Sequence, residues 1–150
     1  MKLAAGREEV RALFRTRRVP LTHQRLAVYE ELSSRRDHPS AEALYGSLRR
    51  LYPSLSLATV YKTLQTLHAM GVVARVDSPT AQARYDAIVA THHHAVCGAC
   101  GAIQDLFDPR LDRLKAPRAA GFKVTGHSVH FHGLCAKCAK AYASKEKTHG

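Results

Sequence analysis

Apolar positions recur with helical spacing through the first half of the chain and gather into strand-like runs in the second. Val10, Leu13 and Phe14 share one face and predict a helix over residues 7–17, broken at Val19-Pro20. Thr22 is placed to cap a second helix, whose apolar positions are Leu26, Val28, Tyr29 and Leu32. Residues 35–40 read as a loop. Ser40 then caps a third helix with Ala43, Leu44 and Leu48 as its buried stripe, ended by Leu51-Tyr52-Pro53. A fourth helix opens at Ser56 or Leu57, turns Val60, Leu64, Leu67 and Met70 inward, and stops at Gly71.

Beyond Gly71 the period changes. Residues 72–77 and 83–89 are β-prone and flank a turn signal at Ser78-Pro79-Thr80. Helices followed by such a hairpin outline a winged helix-turn-helix, with residues 85–91 as a hinge. Further on, residues 102–107 predict a strand, and Pro109 suits a first helical turn. Residues 110–121 look helical, although Pro117 should disturb their end. Residues 122–133 form a long β-prone run, and 137–150 read as a polar, basic, frayed tail. The expected class is α+β: an N-terminal winged helix-turn-helix domain, residues 1–86, and a C-terminal α/β domain, residues 87–150.

Charge adds a partner. Lys and Arg number 23 against 12 acids, a net charge of +11 that favours a polyanion, most often nucleic acid; a merely solvated basic surface is the alternative. In a helix-turn-helix the second helix lays its N-terminal residues into the major groove. Here those are Ala58, Thr59, Tyr61 and Lys62. Small Ala58 and Thr59 permit close approach, Thr59 and Lys62 can bond phosphate or base edges, and Tyr61 can meet a thymine methyl or a phosphate. Arg17, Arg18, Gln24 and Arg25 would add backbone contacts that position without reading sequence. An ordinary amphipathic core helix is the bland alternative. A hydrophobic content of 45% is too high for disorder. No apolar run approaches the ~18 residues of a membrane span, and the N-terminus lacks a signal-peptide core. A cytoplasmic protein without a membrane partner is expected.

Residues 91–101 concentrate the metal chemistry: three histidines and a Cys-x-x-C within one short stretch. Cys97 and Cys100 pair with Cys135 and Cys138, another Cys-x-x-C, as a four-thiolate set suited to structural Zn²⁺. A redox disulfide switch is the alternative. If the stretch is extended, His92 and His94 fall on one face and could carry two imidazoles toward a second metal. A zinc-dependent enzyme is the rival class, although no nucleophile–base motif is visible to support it.

The segments LTHQRLAVYEEL, DHPSAEALY, SLATVYKTL, RYD, HHHAVCGACG, GFKVTGHS and HGLCAKCAK resemble, in order and spacing, the ferric uptake regulator (Fur) family, from about Arg7 to Cys138. The resemblance implies a homodimeric, metal-dependent repressor that binds double-stranded operator DNA, with the C-terminal domain as its dimerisation domain. It also implies a regulatory Fe²⁺ or Mn²⁺ site at the hinge formed by His38, Asp86, His92, His94 and Asp105. The nitrogen and oxygen donors of that set agree with such a metal. With ligands on both sides of the hinge, the metal would set the spacing of two reading helices. The family pattern places an additional site at His93, Asp112 and His127, but Thr91 stands where several relatives have a histidine. Asp86 and Asp105, where iron-responsive members often carry Glu, look like the peroxide-responsive (PerR-like) branch. That likeness implies metal-catalysed oxidation of His38 and His92. Sensing of iron or manganese level is the alternative. A zinc-uptake regulator fits less well, because residues 72–91 contain no cysteine.

Overall fold

The computed structural model describes residues 4–78, 82–118 and 120–146. The chain divides into two compact units, Met1–Ala90 and Thr91–Gly150. Helices come first and a sheet-bearing unit follows, as the α+β class requires.

The first unit contains α1 (Arg7–Thr16), α2 (His23–Ser34), α3 (Ala41–Leu48), α4 (Leu57–Ala69), β1 (Ala74–Val76) and β2 (Arg84–Asp86). Each helix starts where its chemistry allows. The Gly6 N–H donates to Glu9 Oε2 at 2.7 Å. Thr22, Ser40 and Ser56 accept from the backbone N–H groups of Arg25, Ala43 and Thr59. These bonds satisfy donors that a helix leaves open at its start. α4 ends with Gly71 at φ 75°, and Val72 N–H reaches back to Leu67 O. α1 ends in the same way, with Val19 N–H on Phe14 O, but the left-handed residue is Arg18, at φ 54°. Glycine normally fills that position. Val10, Phe14, Val28, Tyr29, Leu32, Leu44, Val60, Leu64, Leu67 and Val73 form one core inside this unit. Met70 is only half-buried, and Thr63 takes the fourth inward place on α4. β1 and β2 pair antiparallel, Ala74 opposite Asp86, and make the expected hairpin; Pro79 and Thr80 of its turn lie outside the described residues.

The second unit is a three-stranded sheet of order β4-β3-β5. β3 (His93–Cys97) runs antiparallel to β4 (Ile103–Leu106) and parallel to β5 (His130–Gly133). α5 (Pro109–Asp112) lies in the crossover, and α6 (Ala136–Glu146) closes the unit.

Three expectations change here. The helix over 110–121 shrinks to the single turn of α5: Leu114 is half exposed, and Pro117 cannot donate a helical bond. Ala119 lies outside the described residues. The long strand over 122–133 reduces to β5. Phe122 and Val124 are exposed, and Gly126 interrupts the run, so among the described residues nothing pairs with 122–129 as a strand. The tail forms α6 as far as Glu146 instead of fraying, and residues 147–150 lie outside the described residues.

Candidate metal centres and nucleic-acid surface

The four cysteines converge in the second unit. Cys97 ends β3, and Gly101, at φ 71°, turns the chain back so that its N–H bonds Cys97 O at 2.9 Å. That knuckle swings Cys100 toward Cys135. Gly98 N–H donates to Gly133 O across the β3–β5 register, bringing the second Cys-x-x-C alongside. Cys135 and Cys138 flank the first turn of α6, and the Cys138 backbone N–H pulls the Cys135 thiol below its ordinary value. One sulfur of each cysteine lies within 4.8 Å of the others, and Cys100 Sγ is 3.7 Å from Cys135 Sγ. Tetrahedral zinc with Zn–S bonds of about 2.3 Å holds its sulfurs about 3.8 Å apart, whereas a disulfide needs about 2.05 Å. All four cysteines are free. Backbone N–H groups, first that of Cys135 and then that of Cys100, pull the Cys97 thiol down to about 6. Hydrogen bonding to the Cys135 and then the Cys100 sulfur pushes Cys138 up to about 12. A divalent cation would supply the positive charge that four neighbouring thiolates need. The donor set and its spacing fit zinc.

The nitrogen and oxygen donors form two groups, one in each unit. In the first, His38 Nε2 lies 3.4 Å from Asp86 Oδ2, and both side chains are buried. His38 sits at φ 49°, in the left-handed region that a non-glycine residue occupies at a cost of about 1–3 kcal/mol. Arg84 Nη1 donates to His38 O at 3.4 Å, and Tyr85 N–H donates to Pro39 O at 3.2 Å. Strand β2 therefore holds the loop that presents His38. Asp86 Oδ1 accepts from Ile88 N–H at 2.7 Å, which aims its other oxygen at His38.

In the second unit, His94 stands opposite Asp105 in the β3–β4 register. Asp105 Oδ1 is 3.5 Å from His92 Nε2 and 3.8 Å from His94 Nε2. The two imidazoles meet edge to face, with ring centroids 4.6 Å apart, and His92 stacks on Phe107. Period-two alternation brings these two rings together, as the spacing predicts. Each group is a buried imidazole–carboxylate cluster, chemically suited to Fe²⁺ or Mn²⁺.

His93 faces the other way and is fully buried. Its Nδ1 accepts from Val129 N–H at 3.1 Å, so in the neutral ring Nε2 carries the proton and donates to Asp112 Oδ1 at 3.1 Å. His127 stacks on it at 5.8 Å, with its own Nε2 on Leu111 O at 2.7 Å. The structure therefore gathers His93, Asp112 and His127, with hydrogen bonds engaging both nitrogens of His93 and Nε2 of His127.

On α4, Ala58, Tyr61 and Lys62 are exposed and Thr59 is half-buried, its hydroxyl 2.9 Å from Ser56 Oγ. Gln24 Nε2 donates to Ser54 Oγ, and Arg25 Nη1 to Pro20 O, so both are oriented by the chain itself; Arg18 is exposed. Sequence reasoning missed Glu42, which accepts the Tyr61 hydroxyl across 19 residues; no local pattern signals that pairing. No helix among the described residues is long and apolar enough to cross a membrane.

A model of the ferric uptake regulator family matches residues 16–132. The peroxide operon regulator of Bacillus subtilis is 36% identical over 81% of this chain and 86% of its own. The peroxide-responsive repressor PerR of Staphylococcus epidermidis is 33% identical over 87% and 89%. Among solved structures, the Helicobacter pylori ferric uptake regulator shares the fold at a TM-score of 0.75, covering 93% of this chain and 97% of its own at 22% identity. The peroxide-sensing PerR of Streptococcus pyogenes is 30% identical, covering 88% and 92% at a TM-score of 0.53.

Proposed function

We propose, from the premise that this chain belongs to the ferric uptake regulator family, that it represses transcription by binding operator DNA as a metal-loaded homodimer and senses peroxide through the oxidation of two of its own histidines. It is a metal-dependent transcriptional repressor of PerR-like type, not an enzyme. The proposal adds the ligands, the domain roles, the partners and the signal.

Zn²⁺ held by Cys97, Cys100, Cys135 and Cys138 would be structural, because a closed four-thiolate set leaves no position for substrate. Regulatory Fe²⁺ or Mn²⁺ would take His38 and Asp86 from the first domain, residues 1–86, and His92, His94 and Asp105 from the second, residues 87–150. The observation that carries this reading is the buried pairing of imidazole with carboxylate in each unit. A metal drawing ligands from both domains would favour one arrangement of the two reading helices in a dimer. Operator and metal would then tighten each other's binding. Ala58, Thr59, Tyr61 and Lys62 would meet the major groove, with Arg18, Gln24 and Arg25 positioning the protein on phosphates.

Dimerisation fits the second unit's surface. Its buried apolar residues, among those described, are Val96, Cys97 and Ile103, while Phe107, Leu114, Phe122, Val124, Phe131 and Leu134 are exposed. Apolar exposure on that scale calls for a partner, and a second copy supplies the same face.

Fe²⁺, when bound, would lend one electron to cleavage of the peroxide O–O bond and recover it from the ring, so that the net two-electron oxidation is that of the imidazole. The chain's own part is to present carbon: the His38 and His92 rings each offer a C–H that takes up one oxygen, while the remaining peroxide oxygen leaves as water. Asp86 and Asp105, each a methylene shorter than Glu, would ligate through shorter arms and leave an open position for peroxide. The test loads the zinc protein with Fe²⁺ or Mn²⁺, adds low peroxide, and follows both DNA release and peptide masses. The expected result is a one-oxygen gain on His38 or His92 in the iron form alone, lost in Asp105→Ala. Unmodified histidines with unaltered DNA binding in the iron form would return the protein to sensing metal level.

A further inference from the structure

Within the first unit the Tyr61 hydroxyl lies 2.5 Å from Glu42 Oε1, linking the reading helix α4 to the first turn of α3. The direction of this bond is determined by chemistry. An ionised carboxylate only accepts, so the phenol donates. Charge around the pair agrees: the bond to Tyr61 holds the Glu42 carboxyl below its ordinary value, and the bond to Glu42 holds the Tyr61 phenol above its own. Arg84, whose guanidinium also reaches His38 O, adds a favourable charge that keeps Glu42 ionised. Tyr61 is nonetheless exposed, its ring available to a ligand.

A phenol whose proton is committed to Glu42 has only lone-pair density and a ring edge to offer outward. In the major groove, guanine presents only the acceptors N7 and O6. Adenine and cytosine present amino donors, and thymine a methyl group. We propose that Glu42 is a specificity-determining positioning residue: by holding the Tyr61 hydroxyl proton, it bars guanine from the base position that Tyr61 faces. The inference rests on the DNA-binding reading of α4 and deepens it. The carboxylate acts in the same direction twice, since its negative charge also opposes the acceptor edge of guanine and the phosphate backbone. Tyr61 is thereby turned from a phosphate contact into a reader of bases.

The test selects sequences from randomised duplex DNA with the full-length, zinc-loaded protein and Mn²⁺, using wild type, Glu42→Gln, Tyr61→Phe and the double variant. Gln is nearly isosteric but neutral, and its amide can donate, freeing the phenol proton for guanine. Wild type should disfavour guanine at one position per half-site by about fivefold, the scale of a single net hydrogen bond. Glu42→Gln should reduce that discrimination to about twofold or less, and in the Tyr61→Phe background it should change nothing further. Titration of ¹³C-labelled tyrosine reads the pair without DNA: the Tyr61 phenol should fall toward its ordinary value in Glu42→Gln. Sequence selection with the guanine discrimination intact in Glu42→Gln overturns this inference and leaves the DNA-binding reading standing. A metal-loaded wild type that selects no sequence overturns both.

Discussion

Removing one thiolate from the four-cysteine cluster should unfold the second unit and spare the first. Among the described residues the second unit buries only Val96 and Ile103 as large aliphatic side chains, at 2% and 6% exposure. At about 1.5–3 kcal/mol each, they contribute roughly 3–6 kcal/mol. A structural zinc site contributes about 10–16 kcal/mol of apparent folding free energy at neutral pH. Zinc at this cluster would therefore stabilise the unit more than its aliphatic core does, and Cys135→Ser, which breaks the clamp between the β3 knuckle and α6, should release most of that stabilisation. The first unit keeps its own core around Phe14, Val28, Leu44, Leu64 and Leu67. Zinc content by atomic spectroscopy and amide hydrogen exchange by NMR or mass spectrometry measure both effects. In Cys135→Ser the zinc should be absent, β3 and β4 amides should exchange without protection, and α2 and α4 amides should stay protected. If β3 keeps native protection in a zinc-free Cys135→Ser protein, the strands stand on their own and the structural role assigned to the metal is wrong.

The first unit can be probed separately. Leu64→Ala empties a fully buried position and should cost about 2–5 kcal/mol. Calorimetry should show the loss in the unfolding of the first unit while zinc content stays at the wild-type level. Arg18→Gly relieves a left-handed residue and should stabilise the protein by about 1 kcal/mol in urea unfolding, while weakening DNA binding if Arg18 touches phosphate. Lys62→Ala should lower the slope of log affinity against log salt by about 0.9, one phosphate contact, whereas Tyr61→Ala should leave that slope unchanged. An unchanged slope in Lys62→Ala would take Lys62 off the backbone.

The helices of the first unit were legible because one face of each packs against a core that their own spacing creates. Val10 and Phe14, or Val60, Leu64 and Leu67, are buried where the 3.6-residue period puts them. The second unit resisted the same reading. Phe122, Val124 and Leu114 carry the apolar pattern of buried elements, yet they are exposed within a single chain. An apolar pattern predicts burial without saying against what, and the proposed second copy is not written in one chain's spacing. The metal donors divide in the same way. Paired cysteine spacing announced the thiolate cluster. Nothing local revealed that Asp86 turns toward His38 because Ile88 N–H holds its other oxygen. Glu42 was invisible because its only signal is a contact made after α3 and α4 have packed.

The three consecutive histidines show how far residue type falls short of role. Strand alternation separates His93 from His92 and His94, and that much follows from sequence. Which nitrogen of each ring is free to act depends on neighbours in three dimensions. His92 and His94 direct Nε2 toward the Asp105 carboxylate, a group that can share a cation with them. His93 accepts the Val129 N–H on one nitrogen and reaches Asp112 with the other, linking β3 to the segment before β5 and to α5. A metal on Nδ1 would leave the Val129 N–H without its acceptor, whereas one on Nε2 would replace the ring proton and keep Asp112 within reach as a second donor. The same imidazole chemistry thus meets a shared carboxylate on one side of the strand and ties β3 to α5 and to the segment before β5 on the other.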